Sequence, residues 1–107
     1  MEIDILKKKL QPLFKKHKIE KAILFGSLAR GDMSRHSDVD LILIQETQKR
    51  FLDRYDGILL EPGQAVKDRA VDILIYTPQE LEQIKDRTFV RQALREGITL
   101  YEHIQFP

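Results

Sequence analysis

Three aspartates stand where aspartate is least at home. Asp38 and Asp40 lead into the apolar run Leu41-Ile42-Leu43-Ile44, and Asp72 is the second residue of Val71-Asp72-Ile73-Leu74-Ile75-Tyr76. Both runs read as buried strands, and a short charged side chain suits neither the pleat nor such surroundings. Side chains alternate along a strand, so Asp38 and Asp40 project from one face with Cα atoms about 6.5 Å apart. Both can then reach one cation. A buried Asp72 without a positive partner would be forced to take up a proton. Three converging carboxylates describe a magnesium site, because Mg²⁺ prefers oxygen ligands and keeps waters and substrate phosphates in its shell. Two such ions, roughly 3.5 to 4 Å apart, can activate an attacking oxygen and stabilise a leaving pyrophosphate. The competing explanations are structural: Asp38 and Asp40 would cap a turn, and Asp72 would pair with Arg69 or another cation.

A second group lies where the run Ala22-Ile23-Leu24-Phe25 is closed by Gly26-Ser27. With Gly31 four residues after Ser27, the backbone can turn tightly and offer amides to an anion. Ser27 adds a hydroxyl, and Arg30 adds a permanently charged planar fork suited to phosphate oxygens. The plainer alternative is a polar turn. A Walker A loop is ruled out, because Asp32-Met33 stands where Lys and Ser/Thr should follow the second glycine. His17, His36 and His103 show no paired metal spacing, and His36, nearest the site, is a weak candidate for substrate contact.

The elements that must position these groups follow from periodicity. Ile3, Leu6, Leu10, Leu13 and Phe14 predict a first helix with one buried stripe, in which Pro12 should cause a kink or begin a second helical piece. Phe51, Tyr55 and Leu59 predict a helix ending before Pro62-Gly63. Thr77-Pro78-Gln79-Glu80 is a capping box with proline at the first helical position. The apolar stripe that follows, from Leu81 and Ile84 through Phe89, Val90, Ala93 and Leu94, should stop at Gly97, with a short edge strand over 98–101. Phe89, Val90 and Leu94 could dock a partner helix or pack on the chain's own sheet.

For the glycine-serine bend and the carboxylates to share a site, the first two strands must run antiparallel. Asp72 lies near the start of its strand, as Asp40 does, so the third strand should run parallel to the second. The expected fold is α/β of the α+β type, a small mixed sheet with helices packed against it.

The chain has 107 residues, a length suited to one domain over 1–107 but not to a catalytic domain plus a substrate domain. With 42% apolar and 33% charged residues it reads as a soluble globule without a membrane span or secretory signal, and the cytoplasm is the default location. No cysteine is present, so thiol nucleophiles, disulfides and cysteine-ligated zinc are excluded. A net charge of +1 makes no global case for nucleic-acid binding, although Lys7, Lys8, Lys9, Lys15, Lys16, Lys18 and Lys21 cluster early, either as a polyanion-binding face or as the solvated side of the first helix.

The block Gly26-Ser27-Leu28-Ala29-Arg30-Gly31, followed by Ser37-Asp38-Val39-Asp40-Leu41, resembles the signature of the DNA polymerase beta nucleotidyltransferase superfamily. Ten residues separate Ser27 from Asp38, as in the minimal nucleotidyltransferases. Including Asp72, the resemblance covers roughly residues 3–76. It implies that Gly26, Ser27 and Arg30 hold the nucleotide and its phosphates, and that Asp38, Asp40 and Asp72 bind two Mg²⁺ ions, with Asp72 also helping to activate an acceptor hydroxyl. Short stand-alone members resemble the antitoxins of HEPN/MNT pairs, some of which transfer AMP from ATP to a tyrosine of a helical HEPN-type toxin. That role is the leading expectation. The alternatives are a non-catalytic nucleotide-binding antitoxin that acts by occlusion, and a two-component transferase acting on a small molecule such as an aminoglycoside. Self-association is left open.

Overall fold

The computed structural model describes residues 2–31, 38–55, 58 and 70–103. Its element order is α1 (Glu2–Lys16), β1 (Lys21–Phe25), α2 (Gly26–Ala29), β2 (Val39–Ile44), a 3-10 helix (Phe51–Tyr55), β3 (Val71–Tyr76), α3 (Pro78–Ile84), α4 (Thr88–Glu96) and β4 (Ile98–Glu102). The four strands form one sheet in the order β3-β2-β1-β4. β1 runs antiparallel to both β2 and β4, and β2 runs parallel to β3. This is the mixed sheet expected from the placement of the glycine-serine bend and the aspartates.

Alternation along the strands divides the apolar residues between two faces. On one, Ala22 and Leu24 of β1, Val39, Leu41 and Leu43 of β2 and Ile75 of β3 pack with Leu6, Leu10, Leu13 and Phe14 of α1. On the other, Ile23, Ile42 and Ile44 pack with Ala93 of α4, and Phe25, Leu74, Tyr76, Leu81 and Leu94 join them from partly buried positions. Asp40 and Asp72 alternate onto this second face, in register with each other across the parallel pair. Both sheet faces are thus covered by helix, and the acidic residues stand at the end of the face that α4 covers.

Three local outcomes refine the sequence expectations. Of the two alternatives at Pro12, α1 does not restart there but runs through it as one helix. The missing donor leaves the Lys8 carbonyl short of a partner, and both residues lie on the exposed side, where water can replace it. The helix closes through Lys18, at φ 56°, with Lys18 N–H donating to the Lys15 carbonyl at 3.2 Å and Ile19 N–H to the Phe14 carbonyl at 2.9 Å, a Schellman closure with a non-glycine residue in the left-handed position. Between β2 and β3, the expected helix is a 3-10 helix over Phe51–Tyr55; Leu59, Pro62 and Gly63 lie outside the described residues. The single apolar stripe after Thr77 is carried by two helices, α3 and α4, broken at Lys85–Arg87.

Gly97 does close α4, for a reason other than the left-handed turn usual at helix ends. Its backbone is extended at φ −69° and ψ 152°. A Cβ there would come within 2.5 Å of the Ile23 side chain and 2.7 Å of the Ala93 carbonyl oxygen, so only glycine lets α4 meet β1 this closely. Among the described residues, no helix is long and apolar enough to cross a membrane.

Candidate functional site

The site begins where β1 stops. Phe25 ends the strand in extended geometry, and Gly26, at φ 76°, swings the chain into α2. That dihedral favours glycine, and space demands it: a Cβ on Gly26 would collide with the carboxylate of Asp40. The glycine-serine bend and the second aspartate are therefore in direct contact across the antiparallel β1–β2 pair, in which Phe25 is the register partner of Asp40. Leu28 is buried and anchors α2 to the core, leaving Ser27 half-buried at the cavity and Arg30 exposed beyond it. Gly31, at φ 95°, ends the turn, its N–H donating to the Leu28 carbonyl at 3.1 Å.

Asp40 and Asp72 are neighbours on β2 and β3 and touch through their side chains. Burial pushes the Asp40 carboxyl above the usual carboxylate range, the negative charges of Asp72 and Asp38 and the hydrogen bond with Asp72 push it further, and Arg30 pulls it back only in part. This concentrates negative charge that Arg30 offsets only in part among the described residues. Asp38 stands two residues before Asp40, just outside β2 and exposed, and acts on it through its charge; it does not line the cavity beside the other two. Among the described residues, no three acidic or imidazole groups close around one point. The structure thus brings Gly26, Ser27, Arg30, Asp40 and Asp72 to one cavity and leaves Asp38 at its margin. Arg69, the alternative partner for Asp72, and His36 and Ser37 lie outside the described residues.

The cavity has a volume of about 710 Å³, within the range that suits a small ligand. Its lining combines polar groups, the carboxylates of Asp40 and Asp72 with Ser27 and Arg30, and apolar ones from β1, β3 and α4, among them Phe25, Leu74, Phe89 and Ala93. Two α4 residues complete the rim: Glu96 lies 3.4 Å from the Arg30 guanidinium, and Gln92 donates to Glu96 at 3.4 Å. Sequence reasoning assigned no site role to Phe25, Phe89, Gln92 or Glu96. Phe89 was visible as part of an apolar stripe, but the pairing of Arg30 with Glu96 joins residues 66 positions apart and needs the fold.

The arrangement can receive a ligand that combines anionic groups with a flat apolar part. The donor set of the acidic end fits a hard divalent cation, since Asp40 and Asp72 offer carboxylate oxygens whose mutual repulsion such an ion would relieve.

Comparison with known proteins decides the family. Residues 8–105 match the family described as Polymerase beta, Nucleotidyltransferase. The chain belongs to that family. Two relatives from Methanocaldococcus jannaschii, both provisionally named protein adenylyltransferases, are similar to this nucleotidyltransferase. One is 34% identical over 86 residues, covering 78% of this chain and 80% of the relative. The other is 33% identical over 76 residues, covering 71% and 80%. The fold is shared with a toxin–antitoxin crystal structure containing AMP-PNP, at TM-score 0.65 and 21% identity over 91% of this chain and 73% of that one. It is also shared with the structure of a tri-AMPylated Shewanella oneidensis HEPN toxin in complex with its MNT antitoxin, at TM-score 0.60 and 17% identity over 94% and 73%. A Sulfolobus solfataricus structure described as a nucleotidyltransferase aligns at TM-score 0.59 and 18% identity, over 94% and 80%.

Proposed function

We propose that this nucleotidyltransferase moves AMP from ATP to a hydroxyl of a partner protein, a tyrosine of a HEPN-type toxin, and thereby acts as an antitoxin. The observation that carries the transfer chemistry is the meeting of Asp40 and Asp72 against Gly26, beside Ser27 and Arg30, in a cavity large enough for a nucleotide. The choice of a protein acceptor is supported by relatives named for protein adenylylation, and the partner by fold neighbours described as toxin–antitoxin complexes.

In this reading Gly26 and Ser27 hold the triphosphate, the Gly26 backbone approaching closely because no side chain intervenes and Ser27 donating its hydroxyl. Arg30 leaves Glu96 to bind phosphate oxygens, an exchange of a half-exposed pair for a stronger charge-assisted contact. Asp40 and Asp72, with Asp38 from the margin, would hold Mg²⁺, which would supply charge neutralisation at the transferring phosphoryl group. Asp72, the exposed member of the touching pair, orients the incoming hydroxyl and accepts its proton. The hydroxyl oxygen bonds to the α-phosphorus, the bond from that phosphorus to the bridging oxygen breaks, and pyrophosphate carries away the electron pair.

The test is incubation with Mg²⁺, ATP labelled on the α-phosphate, and a HEPN-type partner from the same genome. The wild-type chain should label the partner, and Asp38→Asn or Asp40→Asn should not. An unlabelled partner that is nevertheless neutralised, with neutralisation surviving both substitutions together, would replace transfer with occlusion.

A further inference from the structure

The polar residues that line the cavity have roles in the proposed transfer, whereas its aromatic residues have none. Phe89 lies in the first turn of α4 with 57% of its surface exposed, the largest exposure of any phenylalanine among the described residues. It nevertheless lines the cavity that contains Asp40 and Asp72. Its ring stands nearly perpendicular to that of Phe25, at 88° with centroids 5.7 Å apart, so Phe25 fixes its position while leaving ring surface open. Phe25 directly precedes Gly26, and the aromatic pair is therefore tied by the chain to the bend that would hold phosphates.

Resting on the nucleotidyltransferase reading, we infer that Phe89 is the stacking platform for the base of the bound nucleotide, with Phe25 as its support. The chemistry is matched. A nucleoside triphosphate joins an anionic chain to a flat aromatic base, and the cavity is lined both by Ser27, Arg30 and the carboxylates that would hold Mg²⁺ and by the aromatic rings of Phe25 and Phe89. An exposed phenylalanine is costly to leave in water, and a purine covers it without demanding a hydrogen bond. Stacking on Phe89 gives affinity for any base with a preference for the larger purines, since every base has a π-face. Phe89 is thus a binding and positioning residue, and it touches no reacting atom.

The chain contains no tryptophan, so Phe89→Trp creates a single fluorescent reporter in the full-length protein. With Mg²⁺ present, a non-hydrolysable ATP analogue should change the emission of this variant with the same midpoint that calorimetry gives for binding. Tripolyphosphate should bind with no such change. In parallel, Phe89→Ala should weaken binding of the ATP analogue on the order of tenfold while leaving tripolyphosphate affinity within about twofold. Phe89 is exposed, so both variants should keep the fold, and circular dichroism checks it directly. If the analogue binds wild type and both variants equally and the reporter is silent, the base lies elsewhere and the stacking role falls while the nucleotidyltransferase reading stands. An emission change produced by the partner protein and not by the nucleotide would make Phe89 an acceptor contact and overturn the proposal. If neither ATP analogue nor tripolyphosphate binds wild type, both readings fall together.

Discussion

Two clusters of charge stand on the same chain and are treated in opposite ways. Beside β3 and α3, the Arg54 side chain is 6% exposed and forms a forked pair with Glu80, at 2.5 and 3.0 Å. Glu80 also accepts the Thr77 backbone N–H at 2.9 Å, and Thr77 accepts the Glu80 N–H at 3.2 Å, so the same carboxylate completes the capping box of α3. Arg54 further donates to the carbonyls of Lys49 and Ile75, while Tyr55 accepts the Ile75 N–H at 3.0 Å, so the outer side of β3 is closed by side chains. Every charge in this knot has its partner, and Glu80 is pushed down to about 2, first by its hydrogen bond to Arg54 and then by that to Thr77. At the other cluster, Asp40 is pushed up by burial and by Asp72 and Asp38, and Arg30 is already engaged with Glu96. Charge that holds a fold together is satisfied internally; charge left in conflict is waiting for something from outside.

Substitutions can break this contrast in both directions. The largest effect is expected from Asp40→Asn, which should lower nucleotidyl transfer on the order of 10²- to 10³-fold. Because it removes a carboxylate from a repelling group, its melting temperature should be no lower than wild type, as a thermal unfolding scan would show. A stability loss would mean that Asp40 belongs to the structural class of charge after all. Gly26→Ala should damage both properties, forcing a side chain into the Asp40 carboxylate at a left-handed position. It should cost about 1–3 kcal/mol of stability and most of the nucleotide affinity, read by denaturant titration and calorimetry.

Arg54→Ala sharpens the comparison from the other side. It strands Glu80 and unties the 3-10 helix from β3 and α3, so it should destabilise the chain by roughly 2–3 kcal/mol. Nucleotide affinity of the folded fraction should stay unchanged. The smallest effect is a pH dependence. Glu80 is ionised in the folded chain down to about pH 2, whereas an unfolded glutamate takes up its proton near pH 4.3. A lowered folded value means that its contribution is complete above the unfolded value and is lost as pH falls from there through about 2. Between those limits wild type should lose stability more steeply than Glu80→Gln; parallel curves would show that the Arg54 pair contributes little.

Much of this division was legible before any fold was known. The aspartates were conspicuous because apolar strands exclude them, and the relative directions of β1, β2 and β3 followed from asking how they could meet a glycine-serine bend. The capping box at Thr77 was readable because its four residues are contiguous. What escaped was whatever depends on distant partners. Arg54 and Glu80 are 26 residues apart, and neither residue type distinguishes a buried fork from a solvated surface pair. The continuity of α1 through Pro12 depends on that turn facing water, and the break between α3 and α4 leaves the apolar periodicity nearly intact. Gly97 was placed correctly at a helix end by a rule about left-handed turns, yet the crowding by Ile23 that requires it is invisible in local sequence.

The central claim is that the acidic cluster is completed by a divalent cation and a nucleotide arriving together. Thermal unfolding with Mg²⁺ alone, a non-hydrolysable ATP analogue alone, and both, in wild type and in Asp40→Asn/Asp72→Asn, tests it most directly. The account predicts a clear rise in melting temperature for wild type only when both are present, and none for the double variant. An equal rise in the two proteins would contradict it, because the nucleotide would then be held without the carboxylates that define the site.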